Sequence, residues 1–115
     1  MSTTTDQQYS IRQVDLSDLF LLKKVQSAET NDSLLRMPFL LLAQNGSIAA
    51  FSSAAVSKNN HLTIEMCYNN GISENLSEVF KQKAQTYFEQ QLLTMFGDEE
   101  SLKRGIRQFH DWVNP

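Results

Sequence analysis

The run "FLLLAQNGSIAAFSSAAV", Phe39 to Val56, constrains this chain more than any other stretch. Two apolar segments flank Asn45-Gly46, a dipeptide that suits the positive φ values of a type I′ turn, so the run reads as a β-hairpin. Pro38 marks its leading boundary. A second turn at "SKNN" leads into "HLTIEMCY", where Leu62, Ile64, Met66 and Tyr68 fall on one face and His61, Thr63, Glu65 and Cys67 on the other. Three antiparallel strands in a meander are the expected result.

Helical patterns flank this unit. "YSIRQV", Tyr9 to Val14, is expected to be a strand, after which Asp15 and Asp18 form a variant capping box for a helix carrying Leu16, Leu19, Phe20 and Leu22. That helix fades by "SAETNDS", and a short helical turn is expected at Ser33 to Arg36. Downstream, Ile72, Leu76, Val79, Phe80, Ala84, Tyr87, Phe88, Leu92, Met95 and Phe96 recur at spacings of three and four, an apolar stripe that predicts a long core-facing helix. "LLTMF" is short enough to form a strand instead, which would cut that helix near Gln90. Gly97 closes the helix, and Asp98 caps another with Leu102, Ile106, Phe109 and Val113 on its apolar side. The fold class is α+β: a single domain over residues 9–115 in β-α-β-β-β-α-α order, its small antiparallel sheet covered by helices. Met1 to Gln8 form a polar tail expected to be disordered.

A length of 115 residues supports one domain with a real core, and 41% apolar residues suffice to fill it. The formal charge of −3 carries no long run of either sign, so the mildly acidic chain has neither a nucleic-acid surface nor a polybasic membrane patch. Cys67 is the sole cysteine, which excludes an internal disulfide and a Cys-based zinc site. No apolar run approaches the roughly 18 residues that span a bilayer, and the N-terminus lacks a secretory pattern; a soluble, cytoplasmic protein is expected.

Chemistry-bearing residues are scattered. His61 and Glu65 share a strand face but stand about 13 Å apart, too far to ligate one metal, and His110 has no partner at a ligand spacing. No metal site is expected. Glu65 and Cys67 are same-face neighbours, yet a carboxylate raises a thiol's pKa and no histidine orients the pair. Ser52 and Ser53 lack the G-x-S-x-G elbow that exposes a nucleophile and read as small packing residues.

The element order, with "YSIRQVDLSDLFLLKKV", the hairpin, and "HLTIEMCY" feeding "GISENLSEVFKQKAQTYF", resembles the GNAT family of N-acetyltransferases over most of residues 9 to 96. In that family a Q/R-x-x-G-x-G/A loop binds the coenzyme A pyrophosphate through backbone amides. The motif falls on Tyr68, Gly71 and Ser73, and only Gly71 matches it strictly. The resemblance implies acetyl-CoA held by the amides of Gly71, Ile72 and Ser73, with Glu65 near the place of a strand carboxylate that assists amine deprotonation. Glu74 and Glu78 oppose an anion there, and Phe109 stands where a tyrosine acid would be sought. Relative to the family the sequence ends at Pro115 before the final strands, which implies a free sheet edge for a partner or second copy to cover.

Two classes of function follow. The first is a small non-catalytic protein-interaction module without cofactor, acting as a homodimer or with a protein partner; secretion chaperones and immunity or inhibitor proteins share this acidic α+β character. The second is a diverged acetyl-CoA-dependent N-acetyltransferase.

Overall fold

The computed structural model describes residues 9–15, 17–19, 22, 35–69 and 71–113. Strands β1 (Tyr9–Gln13), β2 (Leu35–Gln44), β3 (Ser47–Val56) and β4 (Leu62–Tyr68) form one antiparallel sheet in the order β1-β2-β3-β4. Helix α1 (Glu74–Tyr87) runs into a π-helical segment (Phe88–Leu92) and a last turn, α2 (Leu93–Phe96), before α3 (Glu99–Val113). The α+β class and the antiparallel sheet are as the sequence predicts. The expected tail, most of the first helix and the start of the expected turn at Ser33 lie outside the described residues.

The hairpin turns where the sequence places it: Asn45 and Gly46 both adopt positive φ, 53° and 82°, the type I′ combination whose twist matches the strands. The start of the first helix is also legible. Asp15 and Asp18 exchange main-chain bonds reciprocally, with the Asp18 N–H donating to Asp15 Oδ1 at 3.1 Å and the Asp15 N–H to Asp18 Oδ2 at 2.9 Å. Ser17 to Leu19 and Leu22 are helical beyond it.

Two expectations fail for physical reasons. Leu35 and Arg36 open β2 rather than close a helical turn, and Pro38 sits within the strand. The sheet tolerates that proline because the β2–β3 register shifts between Pro38 and Leu40, leaving Phe39 as an extra residue at a bulge. Met95, placed by the periodicity on the buried stripe, is 68% exposed. The π-helical turn just before it takes in more residues than an α-turn and throws the stripe out of phase. "LLTMF" is helical throughout, so the alternative of a strand there is set aside.

The sheet is covered on both faces. On one, Leu40, Leu42, Ala50, Ala54 and Val56 meet Leu76, Phe80, Ala84, Phe88 and Leu92 of the α1–π segment and Leu102 and Ile106 of α3. On the other, Leu41 and Phe51 meet Leu22, with Val14, Ile48 and Cys67 beside them. Buried on both sides, β3 shows no clean polar alternation; its Ala49, Ala50, Ser52, Ser53, Ala54 and Ala55 keep the layers close. Helix α3 packs on β2 and β3, and Arg107 of α3 donates to Asn60 in the β3–β4 turn. Gly97 ends α2 with φ 99°, and the Ser101 N–H donates to Asp98 Oδ1 at 2.8 Å, capping α3 as the sequence predicts.

Candidate functional site

The residues singled out by sequence do not converge. Glu65 pairs across the sheet with Ser53, on the face turned away from α1, and accepts a hydrogen bond from Arg36 Nε at 2.8 Å. Gly71, Ile72 and Ser73 lead into α1 on the opposite face. Gly71 holds φ 92° beside open space; of the amides singled out there, the Ile72 N–H donates to the Asn69 carbonyl at 3.4 Å, and in the first turn of α1 the Leu76 N–H donates to Ser73 Oγ at 3.0 Å. Ser73 thus spends its hydroxyl as the N-cap of α1. Burial, and secondly the nearby Glu78 charge, push the Tyr68 phenol above its ordinary pKa.

The other candidates take ordinary places. Cys67 is half-buried against the Leu41–Phe51 cluster, His61 is exposed, and His110 is half-buried in the last turn of α3. Ser52 Oγ donates to the Leu40 carbonyl at 3.4 Å. Ser53 is 1% exposed, and among the described residues its Oγ has no hydrogen-bond partner. Among the described residues no group of three or more His, Cys, Asp and Glu could hold a metal ion, and no helix is long and apolar enough to cross a membrane.

A concave feature lies elsewhere, between β1 and α1. A groove of about 950 Å³ is lined by Ile11, Arg12, Gln13 and Leu40 from the sheet and by Asn75, Glu78, Val79, Gln82, Lys83, Thr86, Tyr87 and Gln91 from the helical segment. Its position follows from the topology. β1 pairs only with Leu40 to Gln44 of β2, and among the described residues no strand pairs with its outer side. Tyr87 stacks on Phe39, ring centroids 5.8 Å apart and planes within 11°, and Phe88 packs on the same ring at 6.1 Å. That aromatic contact fixes the helical wall where it passes into the π-helical segment, from which Gln91 reaches the groove.

The sheet wall is anchored from the far side. Arg12 Nη1 and Nη2 donate to Asp18 Oδ2 and Oδ1 at 2.7 and 3.0 Å, a two-pronged bond that ties β1 to the start of the first helix. Hydrogen bonding from Arg12, against the opposing effect of burial, lowers the Asp18 carboxyl from 3.8 to about 2. Arg12 Nη1 also donates to the Gln13 carbonyl at 3.2 Å.

Sequence reasoning missed this groove. The one available signal was the polar flank of the α1 stripe, where Gln82, Lys83, Thr86 and Gln91 adjoin Val79 and Tyr87. What no periodicity shows is that β1 covers only one end of β2 and lies within reach of that flank. Fold and groove together define an α+β domain whose sheet, among the described residues, ends at β1. Comparison with family models, curated proteins and solved structures finds no match to this chain.

Proposed function

We propose that this chain is a non-catalytic protein-interaction module that holds a segment of a protein partner between β1 and α1. The observation that carries this reading is the groove of about 950 Å³ opening along the outer side of β1, which among the described residues no strand pairs with. Its floor is apolar, from Ile11, Leu40 and Val79, and its rim carries the carboxamides of Gln13, Asn75, Gln82 and Gln91. A carboxamide presents a donor and an acceptor together and so matches a peptide group. Of the charges that line the groove, Arg12 is paired with Asp18 and Glu78 and Lys83 are of opposite sign, so no strong net field favours an anion or a nucleic acid.

The N-acetyltransferase reading gains little support, because Glu65 and the Gly71–Ser73 loop serve opposite faces of the sheet. A random phage-displayed peptide library panned on the full chain tests the proposal. Selected peptides are expected to shift the amide resonances of Ile11, Gln13, Val79 and Gln82, and Val79→Lys is expected to abolish binding. Peptides that shift only resonances remote from the groove would refute it.

A further inference from the structure

Resting on that reading, we infer that the partner segment docks as an added β-strand, hydrogen-bonded to the outer edge of β1, with every second side chain entering the groove. The orientation of the β1 backbone supports this mode. The Val14 N–H donates to the Phe39 carbonyl at 3.2 Å, which makes Val14 and Phe39 a directly bonded pair at the end of the β1–β2 ladder. In an antiparallel ladder bonded and non-bonded pairs alternate. Arg12 opposite Leu41 and Ser10 opposite Ala43 are therefore the bonded pairs, and the main-chain groups of Tyr9, Ile11 and Gln13 point away from β2. Ile11 and Gln13 also line the groove. The residues whose backbone is turned outward thus have their side chains on the α1 side. A strand laid about 4.8 Å beyond β1 would place the residue facing Ile11 on that same side, beside Ile11 in the groove.

The edge also lacks the devices that discourage strand addition. β1 carries no proline and no lysine, and its one charge, Arg12, is drawn back to Asp18 by the two-pronged bond. The chemistry of the partner follows. It is an extended, proline-free segment with an uncharged apolar residue facing Ile11, flanked at alternate positions by residues that the carboxamide rim can bond. A second copy of this chain fits less well. The exposed side of α1 that a copy would meet is polar, with Lys81, Gln82 and Gln85, and lacks the apolar centre of a stable homodimer interface.

Proline at position 13 isolates the backbone contribution. It removes an N–H that points outward, leaves the β1–β2 ladder intact, and follows a residue already extended. With the peptide of the dominant library clone as probe, Gln13→Pro is expected to weaken binding about tenfold more than Gln13→Ala does. Methylating alternate backbone nitrogens of that peptide is expected to abolish binding in one phase and spare it in the other. Tyr9→Pro, at another outward N–H, serves if Gln13→Pro does not fold. Loss of binding in Val79→Lys with no difference between the proline and alanine variants would overturn strand addition and leave the groove reading standing. No effect of any of these variants, or no selected peptide, would overturn both. A dimer by light scattering that Gln13→Pro converts to monomer would replace the partner segment with a second copy and overturn the inference.

Discussion

The ion pair behind β1 gives stability a defined pH dependence. Asp18 is 5% exposed and bonded twice by Arg12, and its carboxyl is lowered from 3.8 to about 2. A carboxylate more acidic in the folded than in the unfolded chain stabilises the fold above the unfolded pKa, and that stability is lost as pH falls from about 4 towards 2. At about 1.36 kcal/mol per pH unit, the drop bounds the contribution at roughly 2.4 kcal/mol. Because the Arg12 side chain is 45% exposed, water screens part of this, and about 1–2 kcal/mol is expected. Asp18→Asn keeps the shape and one acceptor oxygen for the Asp15 N–H but removes the charge. Urea unfolding of both proteins between pH 2 and pH 7 is the assay. The variant is expected to be less stable by about 1–2 kcal/mol at pH 7, with the gap closing as Asp18 of the parent is protonated. Parallel curves for the two proteins across this range would refute the assignment of acid sensitivity to the Arg12–Asp18 pair.

Other outcomes follow from single contacts. Ser53→Ala deletes a buried hydroxyl with no hydrogen-bond partner among the described residues and is expected to raise stability by about 1 kcal/mol, seen as a higher urea midpoint at unchanged slope. Gly105→Ala places a Cβ 2.4 Å from Cε1 of the Phe96 ring; displacing that ring is expected to outweigh the better helix propensity and cost about 1 kcal/mol net in thermal unfolding. Acetyl-CoA is expected to leave the melting temperature unchanged at millimolar concentration, since a ligand at 100 times its Kd adds about 2.7 kcal/mol; a clear upward shift would revive the acetyltransferase reading.

What the sequence disclosed and what it hid divide along the range of the interactions. The Asn45-Gly46 turn, the Asp15–Asp18 capping box and the Gly97–Asp98 boundary were legible because each is settled within a few residues by backbone sterics or a local side-chain bond. Pro38 and Met95 misled because a bulge and a π-helical turn change the count of residues without changing their types. The groove was hidden for a related reason. It arises where a strand of five residues covers one end of a strand of ten, and that offset is a property of register rather than of any motif. The same offset makes the edge usable. β1 leaves its outer groups beside α1, and the Arg12–Asp18 bond ties it to the start of the first helix. Anchoring and docking thus use alternate residues of one strand, so the edge can be altered at Gln13 without loosening Arg12.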